Sequence, residues 1–195
     1  FASTSEVYAG TLEKSLLEVP TPENSYILLP DLNMPRTSYM LSKIYGEAMC
    51  IASGLPIINI RPHNIYGPRM GFSHVIPQII KRVIDTKIGG RLGVYSPKHT
   101  RVFCYIDDAT SLIYKLLFNT KDESITTNLG NDSPEINIYN LVKKILTKMN
   151  REDIQLFDLP ATEGSPSRRA PNIDKLTKIV QTSTQKLRLR RACTP

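Results

Sequence analysis

A run of six residues, Leu55 to Ile60, does most to limit what this chain can fold into. It holds three isoleucines and is fenced by Gly54 on one side and Arg61-Pro62 on the other. A short apolar run closed off in this way reads as a strand covered on both faces, and such strands belong to parallel sheets. Before it, Met40, Ile44, Ala48 and Ile51 recur at three- and four-residue spacing over 36–53. That is the period of a helix buried along one side, with Gly54 as its C-terminal stop. A helix feeding a buried strand is the repeating unit of an α/β sheet.

The rest of the chain keeps this alternation. Residues 1–8 read as a strand end running into a polar turn closed near Gly10, and the proline-rich stretch 18–35 reads as a surface loop. A second Pro- and Gly-rich loop, 62–74, leads into an amphipathic helix over 75–86. Strands are expected at 91–95 and 102–106, and Asp107 or Asp108 is placed to cap a helix over 109–118. A strand stub at 126–129, a helix at 138–149, a strand at 154–157 and a short helix at 173–180 follow, with a loop at 160–171.

The net charge of +7 does not mark a nucleic-acid surface. Residues 175–195 hold six of the 25 bases and no acid, so the other 174 residues are almost neutral. No apolar run approaches the roughly 20 residues that cross a bilayer. Cys50, Cys104 and Cys193 are too scattered for a disulfide framework and fit a reducing, cytoplasmic setting. His63, His74 and His99 fall at no recognised zinc spacing, so no metal site is expected.

The chemistry centres on Tyr39 and Lys43. Residues four apart share a helical face, about 6 Å apart along the axis. An ammonium beside a phenol favours the phenolate, lowering a pKa ordinarily near 10, and a tyrosine so tuned serves as a general base. Taken alone, such a pair also arises by chance, as an exposed lysine beside a half-buried tyrosine. Its company is more telling: Ser3-Thr4-Ser5-Glu6-Val7-Tyr8 at a strand end, Arg61 to Arg69 after the buried strand, Thr100 to Asp108, Asn128 to Asn131, and Arg168 to Ile173.

This ordered set, spread from Phe1 to about Ile179, resembles the extended short-chain dehydrogenase/reductases, and among them the NAD-dependent epimerases and dehydratases of nucleotide sugars. The segment at 3–8 and the late arginine pair look most like UDP-glucuronate decarboxylases. The resemblance implies an α/β fold: the C-terminal part of a Rossmann-like doubly wound parallel sheet plus a small α/β substrate-binding lobe. It implies a catalytic set of Thr4, Glu6, Tyr39, Lys43 and Arg169. Tyr39 takes the proton of the sugar 4-hydroxyl while NAD takes hydride. Lys43 holds the cofactor ribose, and Thr4 hydrogen-bonds the sugar oxygen. Glu6 and Arg169 serve the later step at the sugar carboxylate. Tyr39, Lys43 and Pro62 are implied at the cofactor, and Ser5, Asn64, Tyr95, Arg101 and Arg169 at the substrate, a nucleotide sugar and foremost a UDP-sugar. Ser5 departs from the 4,6-dehydratases, which carry an aspartate there, and this disfavours dehydration.

The residues themselves also admit plainer readings, with Arg101 as a solvated charge at a strand edge and Asn64 as an ordinary turn former. By the resemblance, residues 1–61 form the end of the cofactor domain and 62–181 mainly the substrate lobe, interleaved with returning Rossmann elements. Residues 182–195 form a basic tail expected to be disordered. A homodimer is implied, with Met49 and Ile51 on the helix that carries the contact. The family's Gly-rich phosphate-binding turn does not occur in these 195 residues. The chain opens on Phe1, and that turn is expected in a preceding segment. Two other readings compete: a non-catalytic homologue that binds a nucleotide sugar or a protein, and a basic-tailed nucleic-acid protein. Epimerisation and decarboxylation stay open between them, because both begin with the same oxidation.

Overall fold

The computed structural model describes residues 1–120, 124–162 and 165–181. The basic tail lies outside the described residues. Strand β1 (Ile58–Pro62) pairs in parallel with β6 (Ile125–Leu129), from Ile58 opposite Ile125 to Pro62 opposite Leu129. Ala2 adds a parallel bridge on the other side of β1, where the Ser3 amide donates to the Ile60 carbonyl at 2.8 Å. Three chain segments thus run the same way, and all end at one edge of the sheet. Thr4, His63 and Gly130 follow at that edge, where open α/β sheets present ligand-binding groups.

The strand expected at 55–60 is displaced. Pairing begins at Ile58 and runs through Arg61 to Pro62, while Leu55 is exposed before the sheet starts. Past Thr4 there is more than a turn. A 3-10 turn over Ser5–Tyr8, capped by the Thr4 hydroxyl, runs into helix α1 (Ala9–Glu13). Gly10 lies inside that helix rather than closing a turn. A Cβ there would land on the Leu28 carbonyl, so only glycine lets the 18–35 loop cross α1.

Helix α2 (Thr37–Ala52) forms where expected, and Gly54 leaves it with a left-handed φ of 69°. Its buried face differs from the apolar stripe, however. Met40 and the carboxylate-bearing Glu47 are buried, whereas Ile51 and Ala48 face outward. Helix α3 (Val75–Asp85), strand β3 (Arg91–Val94), helix α5 (Ile138–Lys148) and strand β8 (Gln155–Asp158) agree with the hydrophobic pattern. They enclose one apolar core of Ile79, Val83, Leu92, Val94, Leu141, Val142, Leu146 and Ile154.

Between these layers lie short strands that the pattern underestimates. β2 (Ile65–Tyr66) pairs with β5 (Cys104–Tyr105). β4 (Thr100–Val102) is flanked by β7 (Glu135–Asn137) and β9 (Arg168–Arg169). Helix α4 (Ile106–Asn119) starts earlier than expected. Tyr105 is its N-cap, and Asp107 and Asp108 sit inside its first turn, where their charge complements the helix dipole instead of capping it. α4 and the helix over 174–181 cover the β1–β6 pair through Leu116, Leu176, Ile60 and Leu129. Cys104 is part of this core, and Cys50 is half-buried on α2.

Candidate active site

Tyr39 and Lys43 project from one face of α2, and the Lys43 ammonium stands 5.8 Å from the centre of the Tyr39 ring. Lys43 donates to the Ala2 carbonyl at 2.9 Å and also covers the Phe1 ring at 5.3 Å. The helix is therefore tied to the strand end just before Thr4. The Tyr39 ring is 39% exposed, and its hydroxyl makes no hydrogen bond among the described residues. It is free to meet a ligand.

The turn after Thr4 holds Glu6 against the start of the same helix. Arg36 is the N-cap of α2, in a left-handed conformation with φ of 70°. Its guanidinium forks onto Glu6, with Nε to Oε2 at 2.8 Å and Nη2 to Oε1 at 2.6 Å. The same guanidinium lies 5.0 Å from the Tyr39 ring centre. The Glu6 carboxylate, acting first through its hydrogen bonds, holds the Arg36 guanidinium above its ordinary pKa. Two cations, Arg36 and Lys43, thus flank the phenol ring. Arg36 precedes the helix in a left-handed conformation, so helical spacing does not mark it, and its place over the ring follows from the fold.

Glu6, Arg36, Arg168 and Arg169 line a cleft of about 570 Å³ between the 3-10 turn, the start of α2 and the strand β9. Burial holds the Arg169 guanidinium below the ordinary arginine value. The Glu6 charge opposes that shift, and the Arg36 charge adds to it. Glu6 and Arg169 thus share the cleft, and Arg36 links it to the Tyr39 ring, while Tyr39 and Lys43 are not among its lining residues. Thr4 is buried beneath it, its Oγ1 accepting from the Glu6 amide at 3.3 Å, and Ser5 lies half-buried between the two.

Arg101 is no solvated edge charge. It sits at the middle of the three-stranded sheet, 9% exposed, donating to the Thr100 carbonyl at 2.7 Å and to Ser165 Oγ at 2.9 Å. Burial, with a further contribution from Arg169, pushes its pKa down to about 10. Arg101 and Tyr95 line a second cavity of about 300 Å³ together with Arg82, which lies 5.3 Å from the Tyr95 ring centre. Asn64 stands apart. It has a left-handed φ of 46°, and its Nδ2 donates to the Val102 carbonyl at 2.8 Å, so the amide ties the segment between β1 and β2 to the end of β4. Neither Asn64 nor Pro62 is among the residues lining either cavity.

The parallel strands that end at one sheet edge, with the Tyr–Lys helix beside them, define a Rossmann-like α/β protein. The profile of the NAD dependent epimerase/dehydratase family matches residues 1–130, and the chain belongs to that family. It is 29% identical to the UDP-N-acetyl-alpha-D-glucosaminuronate decarboxylase of Bacillus cytotoxicus, over 93% of this chain and 57% of that protein. Among solved structures, it is similar to the UDP-N-acetylglucosamine 4-epimerase of Methanobrevibacter ruminantium in complex with UDP-N-acetylmuramic acid. That match has a TM-score of 0.71 at 20% identity and covers 92% of this chain and 55% of that one. A second, the dTDP-glucose 4,6-dehydratase DesIV of Streptomyces venezuelae, gives 0.69 at 21% identity and covers 91% and 52%. The chain spans about half the length of the curated relatives it matches.

Proposed function

We propose that this chain carries the proton-transfer and substrate-side residues of a nucleotide-sugar epimerase or decarboxylase. The observation that carries the reading is the Tyr39 hydroxyl, unpartnered among the described residues, on the face it shares with Lys43, with Arg36 linking its ring to a cleft that holds Glu6 and Arg169. Tyr39 takes the proton of the sugar 4-hydroxyl, and Lys43 and Arg36 stabilise the charge that develops on the phenol oxygen. Thr4 hydrogen-bonds the same alcohol and fixes its approach. Forked guanidinium groups suit both the carboxylate of a uronic acid and a diphosphate. On that basis Arg169 takes the sugar side, and Arg101 with Tyr95 takes the nucleotide side.

The residues present fit the sugar-proximal end of a nicotinamide cofactor. Among the described residues, Lys43 has a single carbonyl partner for its three donors, and the neighbouring Ser3 Oγ is buried without a hydrogen-bond partner. Tyr39, Lys43 and Pro62 would hold NAD there, and the bound cofactor would supply the hydride acceptor for the sugar C4. With no Gly-rich turn in their sequence, these 195 residues alone are expected to give no measurable NAD binding by calorimetry. Tight binding would contradict that. The outward-facing Tyr45, Met49 and Ile51 on α2 support a homodimer built across that helix, which sedimentation of the intact gene product tests.

Incubating the intact gene product with NAD and UDP-glucuronate tests the activity. Release of CO₂ is expected, abolished by Tyr39→Phe. A C4 epimer without CO₂ selects epimerisation, and conversion that survives Tyr39→Phe overturns the reading.

A further inference from the structure

The residue one turn beyond Lys43 on α2 is Glu47, and it is 5% exposed. A carboxylate buried on the helix that carries the reactive pair calls for a physical account. It accepts a fork from Arg61 of β1, Nε to Oε1 at 2.9 Å and Nη2 to Oε2 at 2.6 Å, with both side chains 6% exposed. The remaining Arg61 donor, Nη1, reaches Tyr8 Oη at 2.7 Å and the Glu23 carbonyl at 3.0 Å. Tyr8 Oη in turn donates to Asn128 Oδ1 at 3.1 Å. Tyr8 is the last residue of the 3-10 turn that Thr4 caps.

Following these bonds, the turn carrying Thr4 is fastened to α2 at two places. Arg36 grips Glu6 three residues before Tyr39, and Glu47 reaches Tyr8 through Arg61 four residues after Lys43. The reactive pair sits between clamps about 16 Å apart along the helix axis. Burial alone would lower the Arg61 guanidinium, but Glu47 and Tyr8 hold it above its ordinary value. Burial raises the Tyr8 phenol against the opposing pull of Arg61, so Tyr8 stays protonated and keeps its donor for Asn128. A buried ion pair is a poor source of net stability, since apolar residues of similar volume often do as well or better. What it adds is direction: a fork accepts one arrangement of helix, strand and turn, where apolar contact accepts many.

We propose that Glu47, Arg61 and Tyr8 form a positioning relay that fixes the Thr4 hydroxyl relative to the Tyr39–Lys43 pair. The proposal rests on the catalytic reading of Tyr39 above. None of the three relay residues touches the reacting atoms; they act through the turn and the helix.

Tyr8→Phe tests it with the least disturbance, because the ring stays in the core and only the hydroxyl is lost. The double variant Glu47→Leu/Arg61→Met removes both charges together and keeps the proposal testable where Arg61→Met alone fails to fold. Two measurements are made, both on the intact gene product: hydrogen exchange of the 4–8 amides, and kcat and KM for UDP-glucuronate with NAD. Both variants are expected to speed exchange across 4–8. They are also expected to lower kcat by roughly tenfold to a hundredfold, with KM within about twofold. Unchanged exchange overturns the relay, and so does faster exchange with unchanged kcat or a loss confined to KM. Tyr39→Phe is run alongside. If it turns over normally, the catalytic reading itself fails; if it is dead while the relay variants are normal, the relay alone fails.

Discussion

The two ends of this molecule bury different chemistry. Around α3, α5, β3 and β8 the interior is hydrocarbon: Ile79, Val83, Leu92, Val94, Val142 and Leu146. Around β1 and β6 it also holds Arg61, Glu47, Asn59, His63, Thr127 and Asn128, each no more than 5% exposed. The Asn128 amide alone serves Tyr8, His63, the Thr21 carbonyl and the Asn172 carbonyl. Hydrocarbon packing gives stability with little directional preference, whereas hydrogen bonds between buried polar groups restrict the arrangement, even with Asn59 Oδ1 and His63 Nδ1 left without a partner among the described residues. The directional interior is the one that lies under the Tyr39–Lys43 helix.

That contrast can be broken by substitution, and the largest effect is expected at Arg61. Arg61→Met strands the Glu47 carboxylate in the core and should cost about 3–5 kcal/mol, read as a lower urea midpoint. Leu146→Ala in the hydrocarbon core should cost about 2–4 kcal/mol, while Leu146→Met should cost under about 1.5 kcal/mol. If Arg61→Lys proves as harmless as Leu146→Met, the polar interior is not directional and the contrast disappears.

A smaller effect separates the regions by pH. The His63 ring donates from Nε2 to Asn128 Oδ1 at 3.1 Å, and burial pushes its pKa down to about 4. The unfolded chain then takes up a proton near pH 6.5 that the folded chain refuses. Stability contributed by neutral His63 is complete above about pH 6.5 and declines as pH falls towards 4, by about 2 kcal/mol at pH 5. Denaturation at pH 7 and pH 5 should show this loss, and His63→Phe should diminish it. The smallest effect belongs to the exposed Arg168–Glu135 pair, joined at 2.9 Å. Glu135→Gln should leave the urea midpoint nearly unchanged, because solvent already screens the pair.

The same contrast explains what could be read from the sequence. Elements whose burial is hydrocarbon follow from periodicity, as α3, α5, β3 and β8 do. Around the site, burial is polar, and hydropathy is silent about it. The pattern ends the strand at Ile60 because Arg61 reads as a solvent charge, yet Arg61 is buried by a partner 14 residues away on another element. For the same reason the buried stripe of α2 is predicted through Ile51 and passes over Glu47. Arg101 is hidden by β7 and β9, strands of three and two residues that are too short to leave a periodic trace. Tyr39, Lys43, Thr4, Glu6 and Arg169 are legible through motif order, and the structure sets Tyr39 beside Lys43 and places Glu6 and Arg169 on one cleft. Arg36 escapes because no motif names it and its left-handed N-cap conformation takes it off the helical period.

Gly10 has a consequence for descent. Leu12, Glu13 and Leu17 on one side of the crossing and Pro30 and Met34 on the other all form walls of the cleft. Because the Leu28 carbonyl occupies the space a methyl group would need, any lineage that gains a side chain at position 10 must reroute the crossing strand of chain in the same step. Those walls are therefore inherited as a block, and the character of the cleft should diversify by exchanging side chains along them sooner than by reshaping the path beneath.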